Sequence, residues 1–447
     1  MPEGALRILQ VSTADIGGGA EKVAWNLFTR YRARGHESWL AVGRKRSDDP
    51  HVVVVPNRES RSPWYRLLAR AASRLQPGHQ QLGRLAGALA DPIGRLNHLR
   101  GLEEFRYPGT SRLLKLPGTR PDVVHAHNLH GGYFDLRMLS RITRELPVVL
   151  TLHDAWLLSG HCAHSFNCER WRTGCGFCPD LTIYPAIHRD ATASNWRRKR
   201  AIYARSRLHV ATPSHWLLRK VEASMLAPAV AEARVLPNGV DLSVFHPADQ
   251  LTARAALGLP LQAEIVLAAG VELRNNPWKD FETLRVAVAG LAAERQGRCV
   301  LLVALGQEAP SERLGEAEIR FIPFQSRPET VARYYQAADV YVHATRADTF
   351  PNGVLEALAC GVPVVASAVG GIPEQLDEGR TGFLVPPGDA SALTMRVAQV
   401  LGQPYLRRQM SSLAVATARR RFDLERQVDA YLEWYQELAE QVRPPGR

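Results

Sequence analysis

No stretch of this 447-residue chain approaches eighteen consecutive apolar residues, so it carries no signal for a transmembrane span. Met1-Pro2-Glu3 lacks the basic and apolar segments of a secretory leader, and a cytoplasmic location is expected. Low-complexity tracts are absent. So are zinc-finger, RRM and homeodomain signatures, which removes nucleic acid as the expected partner. No GxGxxG fingerprint follows the first strand, and no DxD-type metal clamp is apparent. Acidic residues are outnumbered, 44 against 56 Lys and Arg, which leaves a net charge of +12. That balance favours an anionic partner, either a phosphorylated small molecule or an anionic membrane surface. Cysteine is scarce at six residues, yet four fall between 162 and 178.

What the chain does contain is alternation. Leu6–Ser12 reads as a strand, Ala20–Arg34 as a helix and Glu37–Val42 as a strand. Asp122–Ala126, the helix Tyr133–Glu145, Val148–Leu152, Leu208–Thr212, Trp216–Ala223 and Val235-Leu236 continue that series. A second begins at Ile265–Ala269. It runs through the helix Asp280–Glu294, Val300–Leu305, Ile319–Ile322, Thr330–Ala337 and Asp339–His343. Strands alternating with helices predict parallel sheets. Two series predict an α/β chain of two Rossmann-like doubly wound domains facing each other across a cleft. The expected boundaries are 1–240, 241–423 and a last helical segment at 424–447, the turn Leu236-Pro237-Asn238-Gly239 marking the junction. The first domain carries an inserted helical segment at 58–116 and the cysteine cluster at 161–179. In that insert Trp64, Leu67, Leu68, Ala71, Ala72 and Leu75 form one apolar stripe, with Arg66, Arg70 and Arg74 on another face. This is the pattern of a membrane-surface element or of a helix packed on its own domain.

The most informative stretch is 344–374, ATRADTFPNGVLEALACGVPVVASAVGGIPE. Asp348 and Glu356 flank a helix start at Pro351-Asn352-Gly353, with Asn352 expected as the N-cap. Cys360-Gly361 closes that helix, and Val362–Ala366 is a short apolar strand. Asp348 then lies at the carboxyl end of the preceding strand, where open α/β sheets bind ligands. One acid is expected to serve the reacting group and the other a sugar hydroxyl. Gly17-Gly18-Gly19 between a strand and a helix lets backbone amides approach a phosphate. His125 and His127 end another strand with period-2 spacing, and His153-Asp154 repeats the arrangement on the next. Lys279, at a helix start after Ile265–Ala269, is suited to neutralise a departing phosphate. Cys162, Cys168, Cys175 and Cys178 form C-x5-C-x6-C-x2-C, for which a structural zinc is the expected occupant. Cys299 and Cys360 read as core residues.

The stretch from Asp348 through Gly370-Gly371-Ile372-Pro373-Glu374 to Thr381-Gly382-Phe383-Leu384-Val385 resembles the C-terminal half of glycosyltransferase family 4. Those retaining enzymes carry Glu-x7-Glu before an EAMACGxPVVAS-like run. Asp348 stands at the first position, one methylene shorter than the usual Glu, and Glu356 at the second. Leu236-Pro237-Asn238-Gly239-Val240-Asp241 resembles the family's interdomain linker. The cysteine stretch resembles a segment in a branch making bacterial surface polysaccharides. The resemblance implies a GT-B fold, no cofactor for catalysis and a nucleotide-diphosphate sugar as donor. It places Glu356 on the ribose, Asp348 and His127 near the donor sugar, and Lys279, Gly18 and Gly19 on the diphosphate. Asn352 and Gly353 join the donor site, and His153 and Asp154 take the acceptor side. Val271 occupies the family's usual Arg position, and Arg274 is the expected substitute. The implied acceptor is a glycan or a lipid-linked oligosaccharide at the inner face of the cell membrane. A sugar-nucleotide epimerase, a phosphorylase and a catalytically silent nucleotide-sugar-binding protein are the alternatives on this architecture.

Overall fold

A computed structural model of the chain describes residues 4–75, 79–295 and 297–442. Residues 1–3, 76–78 and 443–447, covered by the expectations for the N-terminus, the insert and the last helix, lie outside the described residues. The chain divides into two compact units. One comprises Met1–Thr212, Leu217–Val235 and Tyr431–Arg447, the other Pro213–Trp216 and Leu236–Ala430. The last helix, Leu424–Val442, therefore changes unit at Tyr431 and not at its start.

The first unit holds strands β1 (Arg7–Ala14), β2 (Glu37–Arg44), β3 (Val52–Val54), β4 (Val123–Ala126), β5 (Val148–Thr151), β6 (Leu208–Thr212) and β7 (Val230–Val235). They form one parallel sheet in the order β3-β2-β1-β4-β5-β6-β7. The central strands are buried almost throughout, because helices cover both faces and near-continuous apolar runs suit such strands. Short β3 at the edge was not anticipated. The expected helix Tyr133–Glu145 is only Leu139–Glu145 after one tight turn at Leu136–Met138. Asp135 accepts from the Arg137 amide at 3.0 Å and N-caps that turn, so the helical stretch starts only at Leu136. On the last helix, Tyr431, Trp434, Tyr435 and Leu438 are buried, and the Trp434 indole donates to Glu232 at 2.9 Å.

The insert folds as helices Pro63–Leu75, Gln80–Ala90 and Pro92–Leu99, followed by a tight turn at Pro108–Lys115. In the first of these only Ala72 is buried.

The second unit holds β8 (Glu264–Ala269), β9 (Val300–Leu305), β10 (Glu312–Leu314), β11 (Ala317–Ile322), β12 (Val340–His343), β13 (Val364–Ser367) and β14 (Gly382–Val385). The order is β10-β11-β9-β8-β12-β13-β14, all parallel except the short edge strand β10, which was also not anticipated. Apolar cores lie on both faces of the sheet. Cys360 belongs to one of them, whereas Cys299 is exposed just before β9, contrary to expectation. It lies one residue outside the buried run, and its carbonyl accepts from the Glu264 amide at 2.8 Å.

Asp339 anchors β12 from below. Its carboxylate accepts from the Ile265 amide and the Arg254 guanidinium at 2.8 Å each, and from Arg407 at 3.0 Å. Both Arg254 and Asp339 are buried. Removing one member of a buried pair strands the other charge, so Asp339→Ala should cost about 3–5 kcal/mol and lower the denaturant midpoint of the second unit. An unchanged midpoint would contradict this anchoring role.

Candidate active site

In each sheet the strand order reverses once, and the crevice outside the carboxyl ends at that point is where such folds place ligands. In the second unit the reversal lies between β8 and β12. The chain leaves β8 at Ala269 and returns past Lys279, and it leaves β12 at His343 and continues to Asp348. The two segments are tied together. Thr345 donates through Oγ1 to the Trp278 carbonyl at 2.6 Å, and the Asp280 and Arg346 amides close two more bonds between them. This clamp sets Lys279 Nζ 2.8 Å from Asp348 Oδ2. His343 Nε2 is 3.2 Å from the same oxygen and 3.3 Å from the ammonium, and the Tyr341 hydroxyl is 3.1 Å from His343 Nδ1.

Burial opposes the Asp348 charge, but the Lys279 ammonium and His343 outweigh it and hold the carboxyl well below the usual carboxylate range. Burial and then the Lys279 charge push His343 down, so the imidazole is neutral. Glu356 is buried in the helix Asn352–Ala359. Burial first, then the Glu356 charge, push the phenols of Tyr335 and Tyr341 up. The two acids thus belong to one buried polar system, in which Tyr341 and His343 lie between them. Gly353 is required there, because a Cβ would come within 2.5 Å of the Tyr341 hydroxyl and 3.1 Å of that of Tyr335. Gly370 is equally constrained, since at φ +59° its Cβ would meet the Asp348 carbonyl oxygen at 1.8 Å. Asn352 is not the N-cap. Pro351 takes that place with an extended backbone, and the Asn352 amide oxygen accepts from Asn238 at 3.0 Å.

Beside Lys279 lies an open pocket whose walls include Arg274, Asn275, Asn276, Arg285 and Arg346. Its cations have acidic neighbours. Arg274 lies 3.1 Å and Arg285 3.6 Å from Glu312, and Arg346 lies 3.3 Å from Asp280. Such partly exposed pairs are weak, so an incoming anion can take over the cations. Val271, in place of the expected Arg, is about half exposed at the carboxyl side of β8.

In the first unit the reversal falls between β1 and β4. Gly18 precedes the helix Gly19–Ala33, and its carbonyl accepts the Lys22 amide at 3.0 Å. His125 and His127 are both fully buried. His125 bonds Thr151 at 2.7 Å and Tyr435 at 2.6 Å, which gives it a structural place under the last helix. His127 stacks on His153, with ring nitrogens 3.0 Å apart, and lies 2.9 Å from Gln10. Asp154 pairs with His130 at 2.8 Å and accepts the Trp156 amide at 2.9 Å. Burial works against its charge, and His130 more than compensates.

The four clustered thiols are free. Burial raises Cys162, Cys178 and Cys175, the last to about 12, and the neighbouring thiols add to it. Among the described residues no group of three or more His, Cys, Asp or Glu side chains is placed to hold a metal ion. The partners are local instead. The Gly160 amide donates to Cys175 Sγ at 3.3 Å, Cys178 donates to the Asp180 carbonyl at 3.3 Å, and His161 Nε2 lies 3.4 Å from Cys178.

Sequence reading missed His343, Tyr341, Arg346 and His130. The signal for His343 was present, a Tyr-x-His pair at a strand end five residues before Asp348, as informative as the histidines of β4. Arg346 lies inside the 344–374 stretch but outside its helix and its acids.

Residues 17–244 match the family model described as Glycosyltransferase Family 4, and residues 263–403 match the one described as Glycosyl transferases group 1. A D-inositol 3-phosphate glycosyltransferase of Saccharomonospora viridis is 37% identical over 219 residues, covering 46% of this chain and 50% of that protein. The protein of the same name from Mycobacterium avium is 36% identical over 217 residues, covering 46% and 49%. The chain thus spans about half the length of the curated relatives it matches. Among solved structures, a sucrose-phosphate synthase from Thermosynechococcus elongatus superposes with a TM-score of 0.63 at 18% identity, covering 98% of this chain and all of the other. Anabaena HepE in complex with UDP and glucose gives 0.62 at 20%, covering 97% and all of the other. At these identities the likeness shows the fold, two parallel-sheet α/β domains of the GT-B type.

The buried histidines impose a pH dependence. Burial lowers His125 to about 3 and His153 to about 4, whereas the unfolded chain takes up those protons near pH 6.5. Their contribution is complete above about pH 6.5 and is lost as pH falls toward the folded values, at up to about 1.4 kcal/mol per unit for each group. Urea midpoints should therefore fall between pH 7 and 5, and His153→Gln should flatten the decline. A variant that tracks the parent protein at both pH values would contradict this.

Proposed function

The chain belongs to glycosyltransferase family 4, and from that membership we propose that it moves a sugar, with retention, from a nucleotide-diphosphate sugar to a glycan or lipid-linked acceptor in surface-polysaccharide synthesis. The observation that carries the reading is Lys279 held 2.8 Å from Asp348 at the reversal point of the second sheet, with Glu356 in the same buried polar system. In the free enzyme Asp348 holds the ammonium in place. With donor bound, Lys279 shares its charge with the diphosphate, and Arg274 and Arg346 turn toward the same anion. As the sugar–phosphate bond breaks, negative charge grows on the leaving oxygen. A pre-placed ammonium stabilises that state more than the ground state. Glu356 takes the ribose hydroxyls and Asp348 a sugar hydroxyl. The acceptor hydroxyl attacks from the face the diphosphate leaves, and His153 and Asp154 are assigned to the acceptor side.

UDP donors come first in a test panel, because solved HepE structures contain UDP and UDP-glucose. D-inositol 3-phosphate is a second acceptor class, supported by the names of the relatives matched over about half their length. Thermal stabilisation by UDP-, GDP- and ADP-sugars identifies the donor. Transfer with and without acceptor or phosphate separates a transferase from an epimerase or a phosphorylase.

With the donor in hand, Lys279→Met should lower kcat/KM by about 10²–10³-fold, the scale of removing one pre-placed group from a leaving charge. Glu356→Ala should abolish detectable transfer. Unchanged transfer by Glu356→Ala with every donor on the panel would overturn the assignment.

A further inference from the structure

We propose that the helical insert of the first unit is a docking surface for an anionic lipid membrane. Eight of the twenty exposed large hydrophobic side chains among the described residues lie on it: Trp64, Leu67, Leu82, Leu85, Leu89, Ile93, Leu96 and Leu99. They recur at helical spacing on three consecutive helices, Pro63–Leu75, Gln80–Ala90 and Pro92–Leu99. An amphipathic helix ordinarily buries such a stripe, and here it faces outward. The first two helices pack on each other, and the Trp64 indole donates to the Leu89 carbonyl at 3.3 Å, so their exposed residues adjoin.

Charge selects the occupant. Between residues 61 and 100 the sequence has seven arginines and one acid, Asp91. That acid is already engaged, by Arg61 at 2.9 Å and Arg106 at 3.0 Å, and it also caps the third helix through the Gly94 amide. Arg66, Arg70, Arg74, Arg95 and Arg100 are exposed beside the apolar residues. A second copy of this chain would bring the same arginines against themselves. A lipid surface with anionic headgroups accepts apolar side chains into its acyl boundary and pairs the guanidinium groups at once. The surface therefore binds lipid headgroups and not free phosphate, which offers nothing to Trp64 or Leu67.

The test is flotation of the full chain with vesicles of phosphatidylcholine alone or with 30 mol% phosphatidylglycerol (~30%, a moderately anionic bilayer). Binding should require the anionic lipid and weaken with salt. Replacing Arg66, Arg70 and Arg74 together by Gln should reduce partitioning by about fivefold per arginine. The pair Trp64→Ser and Leu67→Ser should abolish it, with the thermal unfolding midpoint unchanged because both side chains are exposed. Equal binding to both vesicle types, or variants that bind like the parent chain, would overturn the proposal. So would self-association by light scattering that the Trp64→Ser and Leu67→Ser pair removes, with no vesicle binding, since the face would then be a dimer interface. No nucleotide sugar enters the assay, so its outcome is independent of the transferase reading.

Discussion

Lys279 and Asp348 are 69 residues apart in the chain, and only the folded second sheet brings the ammonium and carboxylate to 2.8 Å. The pair depends on three layers beneath it. β8 and β12 are neighbours, so the two exits from the sheet open onto one crevice. Asp339, under the first residue of β12, fixes that strand against the β8 amide of Ile265. Backbone bonds between Trp278–Asp280 and Ala344–Arg346 then carry the register outward to the charged side chains. A one-residue slip in any layer would turn Lys279 or Asp348 away.

The pair also governs the groups around it. Burial and then the ammonium beside it keep the His343 imidazole neutral, and the same ammonium keeps Asp348 ionised despite its burial. Glu356 adds a second carboxylate whose charge is felt by Tyr335 and Tyr341, and Tyr341 touches His343. The two acids singled out in the sequence are parts of one electrostatic arrangement, and Asp348, held ionised beside Lys279, is not set up to trade protons near neutral pH. This favours a binding and charge-stabilising role over general acid–base work. With one methylene fewer than Glu, the Asp348 side chain still reaches the Lys279 ammonium at 2.8 Å.

Much of this was legible beforehand. Parallel strands with apolar runs announce themselves, so the central strands and the helix Leu424–Val442 were readable from pattern alone. Asp348 and Lys279 were readable as candidates because they follow β12 and precede a helix, respectively, and Glu356 because it lies one turn inside the helix that begins at Asn352. The edge strands β3 and β10 were not, because three residues carry no periodicity. The N-cap was misplaced for a similar reason. Asn is a good cap in isolation, but the amide of Asn238, 114 residues away in sequence, engages its oxygen. The cysteines carry their signal in spacing alone. Four thiols in seventeen residues suggest a metal; among the described residues no group of three or more candidate ligands is gathered, and Cys175 and Cys178 bond a nearby amide and carbonyl. His343 was overlooked because it ends a strand as an apparently ordinary core residue, and its contacts to Lys279 and Asp348 are tertiary.

The central claim is that Lys279, positioned by Asp348, is the contact for a diphosphate. Isothermal titration of a nucleoside diphosphate against its nucleoside, using the base chosen by the donor panel, tests it most directly on the parent protein and Lys279→Met. The account predicts that the diphosphate loses about tenfold or more in affinity, the size of one charge-assisted contact, while the nucleoside binds both proteins alike. Equal affinity of both proteins for the diphosphate, or a matching loss for the nucleoside, would contradict it.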